Sequence, residues 1–469
     1  MSNETFCVTD YGAIASETML QTKAIQSAID DCFRKGGGVV VVPAGTYRTG
    51  GIRIRSNVTL YLKSGALLLG SRNPEDYFTY LDDTIEPLKE TALTEFPRCS
   101  SQEARKLMQE QGREAEYYTG YYQRAGRRWN NALIRAIHAE NVAIIGEPGS
   151  MIDGADCYDA LGEEGYRGPH GITMHDCKNV LFKGYTMQNS SNWGHNIVRC
   201  TNVSCKNLTV LAGHDGVHFT QCHNVDVRDC DFHTGDDCVA GFANINFTVK
   251  NCKVNSSCNG FRIGGTNVFI QDCYIYGPGR YAHRYFLTEE EKRAGKQAIS
   301  SEIKNARNNM ISAVTYYADF SFPIEERPSN IVIQDCVIEN TDRFLHYNYS
   351  GNEIWQKQRP LGDITFRNIK AKNIKMPINA YGDASDPVAV TMESIVISDS
   401  PEFSAEALVH ACHYKKIVLD NVVLTSVPCK VLVKRWSNEG EIVIRNMDSG
   451  VSEEAYVMDA NEDFVSATV

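Results

Sequence analysis

Apolar residues in this chain mostly gather in short alternating runs such as Val225-Asp226-Val227 and Val268-Phe269-Ile270, rich in β-branched and aromatic side chains. Runs of this length and composition predict strands rather than helices. Around them a phrase returns: an Asn, the alternating run, an acidic or amide residue, and a Cys six positions after the Asn, at Asn224/Cys230, Asn246/Cys252, Asn267/Cys273 and Asn330/Cys336. Extended back through Asn202 to Asn179, the Asn spacings are 23, 22, 22 and 21 as far as Asn267, and the next interval, 63, is three times 21. Cys177, Cys200 and Cys222 repeat at 23 and 22, and looser copies surround Asn57, Asn141, Asp363, Ser394 and Lys416.

A repeat of about 22 residues has room for three short strands and three turns. One such coil buries its inward side chains only when another stacks on it, at the roughly 4.8 Å spacing of hydrogen-bonded strands. The expected fold is all-β: a single right-handed parallel β-helix over residues 1–469, with ladders of Asn and Cys inside it. Leucine-rich repeats have a similar period, but their Leu-x-x-Leu-x-Leu signature is absent and no helix fits inside each unit. Ahead of the coils, Ala24, Ile25, Ala28, Ile29, Cys32 and Phe33 form a stripe at helical spacing ended by Gly36-Gly37-Gly38. Residues 18–36 are therefore expected to be a helix covering the open end of the solenoid. Residues 72–130 and 277–327, rich in charge and aromatics, interrupt the repeat and are expected to project as insertions flanking a cleft.

Composition narrows the partners. No apolar stretch of the 469 residues approaches bilayer length, and a net charge of −11 disfavours phosphate backbones, so neither a membrane nor nucleic acid is an expected partner. Met1 to Asp10 has no charged start followed by an apolar run, which leads to the expectation of a cytoplasmic protein. Sixteen cysteines without a Cys-x-x-Cys pair argue against a zinc ribbon and for free, mostly buried thiols.

On the repeat frame Asp215, Asp237 and Asn259 each lie 13 residues after their Asn, as do Asn192 and Arg280 after theirs. A regular coil would make these five one column, with Asp215 and Asp237 one step, roughly 5 Å, apart. Asp236 is the neighbour of Asp237. Carboxylates this close do not all ionise freely, so one holds a proton and the set offers an acid and a base together, the pair that hydrolysis of a glycoside needs. Two other readings remain: Asp and Asn as ladder residues of solenoid turns, and a calcium site. No further acidic ligand occupies the equivalent positions on either side, so neither metal nor cofactor is expected.

These residues resemble glycoside hydrolase family 28, the polygalacturonase-like β-helix enzymes. The likeness runs through Asp10-Tyr11-Gly12-Ala13, the stripe at Ala24 to Phe33, Val42-Pro43-Ala44-Gly45-Thr46-Tyr47, Ser56-Asn57-Val58-Thr59-Leu60, Gly65-Ala66 and Ile152-Asp153-Gly154 into the coils. Gly213-His214-Asp215-Gly216 stands where the family has Asn-Thr-Asp-Gly, and Gly235-Asp236-Asp237 where it has its Asp-Asp pair. The resemblance implies that Asp236 is the general acid, that Asp215 and Asp237 position the attacking water, and that the anomeric carbon inverts. A coil spacing near 5 Å, taken alone, would instead favour retention.

Two motifs depart from the family. Cys258-Asn259-Gly260 replaces Gly-His-Gly, and Asn308-Asn309-Met310-Ile311-Ser312 occupies the frame of the Arg-Ile-Lys motif that holds a galacturonate carboxylate; Arg262 resembles part of that motif one coil early. Asn192, Trp193, His195, His214, Asn259, Arg262 and Arg280 are the candidate substrate-binding residues, His218 also flanks the column, and Tyr117, Tyr118, Tyr121, Tyr122 and Trp129 are candidates to stack on sugars. The expected function is an exo-acting, inverting glycosidase that removes a terminal sugar, a galacturonide or a neutral relative, from oligosaccharides. The alternatives are a β-helix polysaccharide lyase or fructan-rearranging enzyme, and a non-catalytic carbohydrate-binding solenoid. Oligomeric state is not legible.

Overall fold

The computed structural model describes residues 4–80, 131–162, 167–281, 310–318, 325–350 and 359–464. Tyr117, Tyr118, Tyr121, Tyr122, Trp129 and most of both expected insertions lie outside the described residues. The described chain falls into two compact units, one ending at His218 and one starting at Phe219.

In the amino-terminal unit three parallel ladders run side by side. One passes from Gly38–Val42 through Val58–Leu62, Glu140–Gly146 and Lys178–Lys183 to Thr201–Lys206. A second passes from Gly45–Thr49 through Ala66–Gly70, Met151–Asp153 and Thr186–Gln188 to Thr209–Ala212. The third passes from Ile52–Arg53 through Ala132–Ile137 and His170–His175 to His195–Val198. Three strands thus make a coil, and the inward residues of each, such as Val180, Met187 and Ile172, are buried. The second unit repeats the plan: His223–Arg228, Val239–Lys250, Asn259–Gln271, Ser329–Gln334, Asp363–Ile374, Val388–Ser398, Tyr414–Thr425 and Glu441–Arg445 stack in parallel order. Among the described residues no helix is long and apolar enough to cross a membrane.

The Asn column marks the turn that sets this order. Asn57, Asn141, Asn179 and Asn202 have φ of 60°, 58°, 56° and 58°, the left-handed region that a short polar side chain tolerates by bonding locally. Each side-chain amide donates to the carbonyl oxygen of the Asn before it, at 2.9, 2.9 and 3.0 Å. Asn224, Asn246, Asn267 and Asn330 form the same ladder in the second unit, at 3.0, 3.1 and 2.9 Å. Asn246→Ala is expected to lower stability by about 1–2 kcal/mol, and Asn246→Gly, which keeps the left-handed φ, by less. Urea melts of the two variants check this order.

Ser394 belongs to a different turn from the one expected. The Asn330 column continues through Asp363, Ala389 and Lys416, whereas Ser394 accepts a bond from Asn421 at 3.1 Å. At φ of 58° its hydroxyl does the work of an Asn carbonyl, which is why the two turns look alike in sequence.

The cysteines behave as thiols. Cys177, Cys200, Cys222, Cys230, Cys252, Cys273 and Cys336 each donate S–H to the carbonyl two residues back, at 3.1 to 3.4 Å.

The helix spans Thr22–Arg34, shorter than expected, because the Ser16 hydroxyl oxygen accepts the amides of Thr18 and Met19 and holds those residues in a turn. It buries Ile25, Ala28, Ile29 and Cys32, and Gln26 exchanges two hydrogen bonds with the backbone of Arg53. Phe33, counted in the apolar stripe, is 42% exposed and lies under the Arg55 guanidinium. At the far end Gly37 takes φ of 108°, and any Cβ there would fall 2.3 Å from the Asn57 carbonyl oxygen.

Candidate active site

In the amino-terminal unit Asp215 is almost fully buried, and its Oδ2 shares a 2.9 Å hydrogen bond with His218 Nδ1. The His218 ring lies flat on Trp193, centroids 3.9 Å apart, and Trp193 meets His170 at 5.4 Å. Trp193, a candidate for substrate binding, packs flat against that imidazole. Asn192 accepts the Trp193 amide on its own side chain at 3.1 Å and braces the same turn. Gly194 follows because its amide donates to the Asp215 carbonyl, and a Cβ there would stand 2.6 Å from the Gly216 carbonyl oxygen.

His195 corrects the sequence reading. It pairs in register with Ile172, bonds the Tyr185 hydroxyl at 2.8 Å and meets Phe182 edge-on, so it lies in the coil interior and not on the substrate side. Burial pushes its pKa down to about 4. His175 is pushed to about 4 as well, chiefly by burial, with the Arg199 charge adding to it. His214 is likewise completely buried.

These two histidines tie stability to pH. An unfolded His takes its proton near 6.5, the folded ones not until about 4, so the unfolded chain binds more protons between those values. Stability is therefore complete above pH 6.5 and falls as pH drops toward 4, by about 3 kcal/mol for each. Calorimetric melts from pH 7.5 to 4.5 should show the decline, and His195→Phe should flatten it.

The second unit holds the aspartate pair in the turn between Asp231–Thr234 and Val239–Lys250. Two hydroxyls clamp this turn from either side: Thr234 Oγ1 and Ser256 Oγ both donate to the Asp236 carbonyl. The neighbours then part. Asp237 is 1% exposed, whereas Asp236 is only half-buried and accepts the Asp237 amide on Oδ1 at 3.1 Å. Asn259 donates from Nδ2 to Asp237 Oδ1 at 2.7 Å, and Thr315 holds the other end of that amide at 3.1 Å. Arg262 Nη1 reaches Asp237 Oδ2 at 3.4 Å, its guanidinium 4.2 Å from the Tyr317 ring centre. Asn259 therefore holds the Asp237 carboxyl group, and Arg262 pairs with the same acid. Cys258 also brings a thiol within 4.8 Å of both carboxylates, a soft donor foreign to calcium sites.

Arg280 does not stand in the column. Ser312 pairs with Asn259, while Arg280 is exposed and anchored by its amide to Asn255 Oδ1 at 2.7 Å. The coil is interrupted between them, so counting onward from Asn267 lands outside the register.

Residues 117–247 match the model of glycosyl hydrolases family 28, and residues 5–65 match that of rhamnogalacturonase A/epimerase, pectate lyase-like. A probable polygalacturonase of Vitis vinifera is 28% identical over 49% of this chain and 43% of its own. An exo-poly-alpha-D-galacturonosidase of Dickeya chrysanthemi is 28% identical over 50% of this chain and 41% of its own, so the chain spans less than half the length of either relative. Among solved structures, the family 28 exopolygalacturonase of Yersinia enterocolitica superposes with a TM-score of 0.63 at 18% identity, over 96% of this chain and 79% of that one. That likeness shows the fold, a right-handed parallel β-helix.

Proposed function

We propose, from the similarity to glycosyl hydrolases family 28, that this chain hydrolyses a glycosidic bond with Asp236 as general acid and Asp215 and Asp237 as the carboxylates that position the attacking water. The observation that carries it is the Gly235-Asp236-Asp237 turn. Two adjacent carboxyl groups sit in unlike surroundings, Asp236 half-buried and Asp237 enclosed by Asn259 and Arg262, and an acid and a base made from one residue type require such a difference. The 22-residue spacing of Asp215 and Asp237 supports their joint action.

The reaction adds no group to the protein. Asp236 gives its proton to the departing glycosidic oxygen, water adds to the anomeric carbon, and its proton passes to the second carboxylate. Removal of a terminal sugar from an oligosaccharide is the mode supported by the name of the Dickeya relative. The thiol state of the cysteines supports a reducing compartment such as the cytoplasm. Proton NMR of the first product of a para-nitrophenyl glycoside tests the mechanism: the inverted anomer is expected at early times, and a retained anomer would replace the water-positioning role by a nucleophile.

A further inference from the structure

Cys258 has no part in the proposed hydrolysis, yet the fold sets its thiol against both aspartates of the pair. It precedes the strand Asn259–Gln271, one coil on from the aspartate turn, and the bond from the Cys238 amide to the Asn259 carbonyl ties the two turns side by side. Its amide donates to Ser256 Oγ at 2.7 Å, and that same hydroxyl donates to the Asp236 carbonyl. One serine thus fixes the backbone on both sides. The Cys258 sulfur and one oxygen from each of Asp236 and Asp237 lie within 4.8 Å of one another, and among the described residues no other three His, Cys, Asp or Glu side chains come together in this way. Cys258 forms no disulfide and is 5% exposed, whereas Asp236, only half-buried, opens the group to solvent.

The donors are of two kinds, and that mixture selects the ligand. Carboxylate oxygens accept most divalent cations, whereas a thiolate favours zinc and cadmium over calcium and magnesium. Tetrahedral zinc, with bonds of about 2.0–2.3 Å, sets its ligand atoms roughly 3.3–3.8 Å apart, so rotation of the side chains has at most about 1.5 Å to close. Each carboxylate oxygen has two lone pairs, and one that accepts from Asn259 or Arg262 is therefore not closed to a cation. Three protein ligands with a fourth position toward solvent make an open zinc site. We propose that Asp236, Asp237 and Cys258 bind a thiophilic divalent cation, zinc or cadmium, and that its occupancy shuts off turnover. As the metal–sulfur and metal–oxygen bonds form, the thiol and the Asp236 carboxylic acid release their protons to solvent. The effect on turnover rests on the proposed glycosidase reading: an Asp236 carboxylate engaged with a cation has no proton for the leaving oxygen, so metal and acid catalysis exclude each other.

Binding and turnover are measured separately. Cadmium is the probe for binding, because its bond to a thiolate absorbs in the ultraviolet whether or not any glycoside is cleaved. Titration of the reduced wild-type protein with Cd2+ should give a saturable band that zinc displaces and calcium does not. Cys258→Ser should remove that band, and Asp236→Asn should weaken cadmium binding at least about tenfold, since even an outer partner of a metal site is worth that much. Thermal melts establish that each variant is folded, and Asp236→Asn carries the comparison if Cys258→Ser does not fold. Titrations of wild type and folded variants that superpose overturn the site. In turnover assays zinc should inhibit the wild type at concentrations at least about tenfold lower than Cys258→Ser. A band that depends on Cys258 in a protein whose turnover zinc leaves unchanged overturns the shut-off. The same band without turnover of any glycoside keeps the site and sinks the hydrolytic reading, whereas turnover without such a band does the reverse.

Discussion

Asp236→Asn is expected to lower kcat at least about a thousandfold with little change in melting temperature. The amide keeps the shape of the carboxylic acid but has no acidic proton to give, so the leaving oxygen departs unassisted. Stability should hold because the turn is clamped through the Asp236 carbonyl by Thr234 and Ser256, bonds that do not involve the side chain. The side chain accepts its neighbour's amide, and an asparagine oxygen can take that bond as well. Near wild-type turnover in single-turnover assays would remove Asp236 from the acid role. A leaving group with a low pKa, such as nitrophenol, should recover part of the rate, since it needs less protonation.

Arg262→Ala is the second large effect, and it falls on folding as well as on catalysis. Asp237 is 1% exposed, and Arg262 is a cation against it. Truncating one member of a buried pair takes compensation from the other charge, at a cost of about 3–5 kcal/mol. Because Arg262 pairs with Asp237, kcat should fall for uronide and neutral glycosides alike. Urea denaturation and kinetics on a matched pair of substrates test both halves. A variant of unchanged stability whose KM rises for the uronide alone would return Arg262 to substrate binding.

The solenoid was legible because its turns constrain residue type. A left-handed φ with an amide ladder leaves Asn as the natural occupant, so the repeat shows directly at Asn179, Asn202, Asn224, Asn246 and Asn267. The aspartate pair was legible for the same reason, since it keeps a fixed offset from those turns. What was hidden depends on register or on the face of a strand. Arg262 pairs with Asp237 25 positions away, one coil plus three residues, and only the pairing of Ala240 with Arg262 brings them together. Tyr317 joins them after an interruption that no period predicts. His195 shares its face with Ile197, so strict alternation places it inward despite its nearness to Asn192 in sequence.

The interrupted coils also show how this scaffold accommodates extra chain. Val239 pairs with Phe261 after 22 positions, while Thr266 pairs with Ser329 after 63. Loop-closure entropy grows only with the logarithm of the span, so the longer closure costs about 1 kcal/mol more than the shorter. A difference that small lets the segment between coils be lengthened, shortened or exchanged with hardly any effect on the folding equilibrium. The aspartate turn stays fixed by its hydroxyl clamps throughout, so this frame is open to change by insertion, leaving Asp236 and its neighbours as they are.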